Sequence, residues 1–255
     1  MPDKVLKAVH PNAGIRIEYE RRLRKLILDM QASIVYWVTA SYRSTGLAQD
    51  ATPSNELQQT MNELAKQWQT KFDRGAEKLG AWFAQKTKNY ADGSLQAILK
   101  EAGFSVQFKM TAEVEDVFQA IVHEQVGLIK SIASQHLQEV QGLVMRSVQE
   151  GRNLKTLSDE LMKRYGVTKR RAALIARDQN NKAIATITRT RQQLLGITEA
   201  IWIHSHAGKH PRLSHVAANG KKYNVAEGML IDGKRIWPGT EINCRCVARS
   251  IIPGF

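Results

Sequence analysis

The sequence predicts an α+β protein. A mostly α-helical N-terminal body of long antiparallel helices fills residues 1–150, and residues 151–255 hold two more helices and a small, turn-rich α+β module. Three observations carry this. Apolar residues recur every three or four positions through roughly the first three quarters of the chain. After Gly196 the repeat shortens to alternation in EAIWIHS, KKYNV and CRCVARSII. Between those segments lie AANGKK, IDGK and WPGT, each with the Gly or Pro chemistry of a turn.

The first helix is expected from Ile15 to Arg43, after the start signal PNAG, with Tyr19, Leu23, Leu26, Met30, Ile34 and Trp37 on one face. STGLAQDATPSN breaks both periodicities and reads as a loop. A second helix then carries Leu57, Met61, Leu64, Trp68, Phe72, Leu79 and Phe83, with Gly75 and Gly80 weakening its middle and ADGS reading as a turn. FSVQFKM, residues 104–110, alternates like a short strand.

Thr111, followed by Glu113, Glu115 and Asp116, marks a helix start, because carboxylates favour the positive end of the helix dipole. That helix is expected to run to about Gly151. Two further helices are expected over 153–165 and 168–195, closed by Gly166 and Gly196, since glycine takes the left-handed exit conformation without steric cost. The β-rich module then occupies 199–255. LSDELMKRYGVTKRRAALIAR is a weak helix-turn-helix candidate, argued against by the length of its second helix and by that helix's alanine-rich face.

Composition narrows the function classes. A chain of 255 residues buries a core without staples, and its two cysteines, separated by one residue, are poorly placed to bond to each other. This points to a reducing compartment. MPDKVLKAVHPNAG lacks an apolar signal core and no apolar run is long enough to span a bilayer, so neither an export signal nor a membrane partner is expected.

The net charge of +13 is lopsided. Residues 1–150 hold 18 Lys and Arg against 17 Asp and Glu, whereas residues 151–255 hold 19 against 7. A one-sided positive field attracts polyanions, nucleic acid above all. Lys169, Arg170, Arg171, Arg177, Lys182, Arg189 and Arg191 surround the helix expected over 168–195 and are the candidate DNA contacts, with an ordinary solvated helix face as the alternative.

Four of the seven histidines, His204, His206, His210 and His215, lie within twelve residues, and Cys244 and Cys246 follow about thirty residues later. Thiolate and imidazole are the ligands zinc prefers, so zinc is the one candidate cofactor, with His215, Cys244, Cys246 and His204 as its ligands. The single residue between the cysteines argues against chelation by both, and buried thiols beside hydrogen-bonded histidines are the alternative. If the tail is a strand, both thiols face inward and Arg245 faces out.

A catalytic reading starts from His215 and Asn219 in SHVAANGKKY, with His215 activating water and a metal holding phosphate. Glu227, Asp232 and Glu241 are scattered over turns instead of sharing ligand spacing. A cysteine nucleophile beside Arg245 is a further option. No catalytic residue is assigned and the protein is not expected to be an enzyme.

The C-terminal half resembles the phage Mu F-like minor head proteins, the head morphogenesis family. The resemblance rests on an arginine-bearing helix, RAALIARDQNNKAIATITRTRQQLLGI, then Trp202, HSHAGKHPRLSH with Arg212 and His215, Gly220, Pro238 and Gly239, and the terminal NCRC. Many relatives carry two cysteines before the glycine turn where this chain has histidines, so a four-cysteine metal site does not carry over.

The resemblance implies a minor structural and assembly component of a phage or prophage head, found in the virion and, during assembly, in the bacterial cytoplasm. It implies the portal protein and capsid or scaffold proteins as partners, a role in morphogenesis and in DNA packaging or delivery, and contact with double-stranded DNA through backbone phosphates without base readout. A metal-dependent nuclease or toxin-like effector carried with the head is the alternative.

Overall fold

The computed structural model describes residues 3–44, 53–151, 153–206 and 210–254. A short strand β1 (Lys4–Val5) precedes four long helices, α1 (Ala13–Ser44), α2 (Pro53–Glu101), α3 (Ala112–Gln149) and α4 (Leu154–Leu194). After them come β2 (Glu199–Ile203), α5 (Leu213–Ala217), β3 (Lys222–Asn224), β4 (Met229–Ile231), β5 (Lys234–Ile236) and β6 (Val247–Ile252). The loop expected at STGLAQDATPSN falls largely outside the described residues.

Helix starts follow the capping rules. Asn12 Oδ1 accepts the Ile15 N–H at 3.0 Å, and Asn153 Oδ1 accepts the Thr156 N–H at 3.1 Å. Thr111 Oγ1 takes the Val114 N–H at 3.4 Å, so α3 begins where the acidic first turn predicts.

Packing divides the chain into two compact units, and the division differs from the expected split at residue 150. One unit gathers Met1–Ile17, Ala81–His123 and Ala176–Phe255, and the other gathers Glu18–Gly80 and Glu124–Ile175. Each long helix contributes residues to both, because a helix of 32 to 49 residues is longer than a single small core needs.

The second unit is all helix. Tyr19, Leu23, Ile27, Met30, Ile34 and Val38 form the buried stripe of α1, and Leu57, Met61, Leu64, Trp68, Phe72 and Leu79 that of α2. Each such side chain contributes about 1.5–3 kcal/mol on leaving water. Ser41 Oγ lies 3.1 Å from Thr60 Oγ1, and fifteen residues back along α1 and on along α2 a Cβ on Gly75 would meet Leu26 at 3.9 Å. This register makes the pair antiparallel, as expected. Trp37, expected in the stripe, is 50 % exposed and Val38 is buried in its place.

One polar node sits inside this unit. His136, 0 % exposed, places Nδ1 2.8 Å from the Thr168 hydroxyl and Nε2 3.2 Å from Gln31 Oε1. Burial, reinforced by the positive charge of Arg164, pulls its pKa down to about 4, so the ring is neutral near pH 7.

The separate helices expected over 153–165 and 168–195 are one helix. Gly166 lies in its interior at a cost of about 1 kcal/mol relative to alanine. Leu157, Leu161, Thr168, Ala172 and Ile175 are buried in one continuous helical phase across it, and the packing of that stripe outweighs the glycine. This removes the helix-turn-helix candidate. Likewise α2 runs unbroken through ADGS, where Asp92 pairs with side chains instead of ending the helix.

The first unit holds the sheets. Strand order in the larger is β1-β6-β2-β3, with antiparallel registers Lys4↔Ile252, Trp202↔Ala248 and Ala200↔Tyr223. Strand β1 is too short to show in the sequence, yet it places N-terminal residues on the edge of the C-terminal sheet. β4 and β5 form a hairpin whose two-residue loop, Asp232–Gly233, has φ of 50° and 75°, the geometry that favours Asp-Gly. Trp202, Tyr223, Val225, Ile231, Ile236, Cys244 and Cys246 share the core, with Trp237 packed at its margin.

FSVQFKM is not a strand. Its residues alternate between half-buried and exposed through Lys109, but among the described residues no strand pairs with it. Side chains reach two of its carbonyls instead: Gln96 donates to the Val106 oxygen at 3.2 Å and Arg191 to that of Lys109 at 2.7 Å.

Candidate functional site

The segment from Gly239 to Cys246 is held by one turn of α4. Asp178 Oδ1 accepts the Asn243 N–H at 2.6 Å, Arg177 donates to Asn243 Oδ1 at 2.9 Å, and Asn181 donates to the Cys244 carbonyl at 3.1 Å. Asn243 has a φ of 61°, a left-handed conformation that asparagine tolerates better than most residues. Gly239, φ 82°, is required for a second reason: a Cβ there would lie 3.1 Å from Ala185 Cβ and 3.2 Å from the Cys246 carbonyl.

So held, Cys244, Arg245 and Cys246 form the irregular segment just before β6. Both cysteines are 4 % exposed while Arg245 faces solvent, as alternation predicts. Both thiols are free. His215, 3 % exposed on α5, brings Nδ1 to 3.5 Å from Cys244 Sγ and 3.7 Å from Cys246 Sγ.

His215 Nε2 lies 3.2 Å from Glu241 Oε2, and that carboxylate also pairs with Arg212 at 3.1 Å. With the proton on Nε2, the Nδ1 lone pair faces the sulfurs. The ring stands edge-on to Trp202 at 5.2 Å and 85°.

The thiols are inequivalent. A hydrogen bond from the Cys246 thiol, then the N–H groups of Cys246 and Gly239 and the neighbouring His215, pull the Cys244 pKa down to about 6. The Cys246 pKa is raised because it holds the shared proton beside a neighbouring anion and is buried. The indole N–H of fully buried Trp202 has no oxygen or nitrogen acceptor, and it favours ionisation of Cys246, since a thiolate accepts where a thiol scarcely does.

Of the four expected metal ligands, His215, Cys244 and Cys246 come together, their ligand atoms within 4.8 Å of one another. His204 does not join them. It lines the adjoining cleft of about 260 Å³ with Ser205, His210, Arg212 and Arg245, and its Nδ1 accepts the His206 N–H at 3.2 Å. Asn219, considered for catalysis, accepts the His204 N–H at 2.8 Å and so braces the chain. Asp232 accepts from Ser214 and Glu227 pairs with Arg235, leaving Glu241 as the carboxylate at His215.

Several basic residues of α4 have partners within the protein. Arg191 is 2 % exposed, forms two hydrogen bonds to Asp92 at 2.7 and 2.8 Å, and does not reach the surface; burial of its guanidinium corrects its assignment as a DNA contact. Arg189 stacks 4.1 Å over the Trp237 ring, Arg171 donates to the Ser131 carbonyl and hydroxyl, and Lys169 sits 5.0 Å over Tyr165. Lys182 and Arg177 are half-buried, and Arg170 is exposed. Sequence reasoning missed a second basic feature, a groove of about 390 Å³ lined by Arg16, Arg177, Arg245, Asn180 and Ser205. Its members are too far apart in the chain to form a visible charge run.

The order of these parts, an arginine-bearing helix, a tryptophan strand, a histidine helix and a glycine turn before the paired cysteines, agrees with a comparison by family. Residues 138–249 match the family described as Phage Mu protein F like protein. The match bears out the resemblance to the phage head morphogenesis proteins and covers all of α4 and the cysteine–histidine cluster. An uncharacterized protein of Haemophilus influenzae is 32 % identical over 143 residues, which cover 56 % of this chain and 31 % of that relative. The chain therefore spans about a third of the relative's length. No solved structure matches the chain. Among the described residues, no helix is long and apolar enough to cross a membrane.

Proposed function

We propose that this protein is a minor structural and assembly component of a phage or prophage head, placed at the portal, and that it contacts packaged or entering DNA through phosphates. The observation that carries the reading is the Mu F-like match over residues 138–249. The charge asymmetry supports the DNA part, because each neutralised phosphate releases counterions and no base-reading geometry is needed. The groove lined by Arg16, Arg177 and Arg245 supplies converging cations. Leu28, Tyr36 and Trp37 on α1, 50–66 % exposed, are the kind of apolar and aromatic surface that portal or capsid proteins bury.

Heads purified on a density gradient from a strain carrying the phage are expected to contain the protein at few copies per particle. Its absence from heads and procapsids alike contradicts the reading. Incubation with plasmid and divalent metal distinguishes the alternative: retardation that weakens steeply with salt supports a binding role, whereas cleavage abolished by His215→Ala supports a nuclease.

A further inference from the structure

We propose that His215 Nδ1, Cys244 Sγ and Cys246 Sγ are three corners of a tetrahedral zinc site, with the fourth corner open to the cleft lined by His204, Ser205 and His210. The proposal stands apart from the phage-head reading, since a structural zinc serves a head protein and an enzyme equally.

The spacing of the three atoms carries it. With Zn–S of about 2.3 Å and Zn–N of about 2.0–2.1 Å, tetrahedral corners lie about 3.5–3.6 Å apart for nitrogen and sulfur and about 3.8 Å for two sulfurs. The observed Nδ1 to Sγ distances are 3.5 and 3.7 Å. Weak S–H hydrogen bonds alone do not require one ring nitrogen to be equidistant from two buried sulfurs. The awkward bite of Cys-x-Cys is resolved by the local backbone, which leaves Arg245 exposed and both sulfurs buried within reach of one ring nitrogen.

The surroundings match what metal ligands need. Glu241 takes the other ring N–H of His215, the carboxylate–histidine arrangement that fixes the tautomer and raises ligand basicity, and Arg212 holds the carboxylate. Gly239 N–H points at Cys244 Sγ from 3.4 Å, and the unpartnered Trp202 N–H sits among the same core residues as Cys246. Two thiolates and a neutral imidazole cancel the charge of Zn²⁺, so the buried site is neutral once two thiol protons leave to solvent. A soft pair of thiolates with imidazole selects zinc over magnesium or calcium. Its structural role follows from α5, a five-residue helix too short to be stable alone, which the metal ties to the segment entering β6.

The test uses the untagged full chain. After dialysis against metal-free buffer, elemental analysis is expected to find about one zinc per chain. Cobalt(II) exchanged into the site is expected to give thiolate-to-metal charge-transfer absorption and the intense visible bands of tetrahedral coordination. Cys244→Ser and Cys246→Ser should each weaken zinc at least tenfold, as should His215→Ala, while His204→Ala retains it. Should those variants fail to fold, Glu241→Gln, which leaves all three ligands in place, is expected to weaken zinc about 10–100-fold. Wild-type protein that holds no zinc and gives no thiolate–cobalt band overturns the proposal, as does zinc retained when both cysteines are serine.

Discussion

Helix α4 and the segment from Gly239 to Cys246 look equally functional in the sequence, one for its arginines and the other for its thiols, and the structure uses them in opposite ways. Three cations of α4 turn onto internal partners: Arg191 onto Asp92, Arg189 onto Trp237, Arg171 onto Ser131. The cysteines and His215 converge on a single point with backbone and carboxylate support behind them. Net charge reports the far field of a chain, and long arginine side chains are free to satisfy that count while serving as internal fasteners. Soft ligands flanked by a glycine that admits no Cβ are harder to place by accident.

The largest expected effect tests the inward half of this comparison. Arg191→Ala leaves Asp92 buried with Lys88 as its remaining partner among the described residues, so denaturant titration is expected to show a loss of about 3–5 kcal/mol. Arg170→Ala, on an exposed position of the same helix, should change stability by less than about 0.5 kcal/mol. Equal losses at the two positions would erase the distinction between fastener and surface charge.

A second prediction concerns the polar node of the helical unit. The folded-state pKa of His136 is depressed to about 4 from its ordinary value of 6.5, so the unfolded chain binds the extra proton between those values. This contribution to stability is fully present above about pH 6.5, falls as pH drops, and is exhausted near pH 4. The total is on the order of 3 kcal/mol. Denaturation midpoints at several pH values should show that slope and lose it in His136→Gln; an unchanged slope in the variant would assign it elsewhere.

Smaller effects sharpen the other half. Gly239→Ala forces a left-handed φ on alanine and pushes its Cβ against Ala185, with an expected cost of about 1–3 kcal/mol and slower zinc uptake. Asn181→Ala leaves the Cys244 carbonyl without its donor, for about 1 kcal/mol. Calorimetry of the two variants checks both, and unaltered unfolding in each would mean that α4 does not brace the cysteine segment.

Much of the fold was legible because helical stripes are local. All seven apolar positions named for α2, from Leu57 to Phe83, are buried. Asn12, Thr111 and Asn153 mark helix starts by side-chain oxygens that cap them. What was not legible depends on distant partners. FSVQFKM has the alternation of a strand but no strand beside it, β1 is a strand only because β6 offers an edge, and Gly166 ends no helix because a buried stripe runs across it. At the site, the histidine and cysteines that come together and the inward-facing thiols were readable. The Glu241 contact, the clamp by Arg177, Asp178 and Asn181, and the groove at Arg16 were not, since each joins residues far apart in sequence.

In the proposed DNA contact, the charge near the paired cysteines meets the phosphates more than the charge count of α4 does, and the salt dependence of duplex binding tests this most directly. The logarithm of affinity against the logarithm of salt should lose about two units of slope in Arg16→Gln/Arg245→Gln and stay unchanged in Lys169→Gln/Arg170→Gln. A slope that falls only in the α4 pair, or wild-type binding indifferent to salt, would contradict the account.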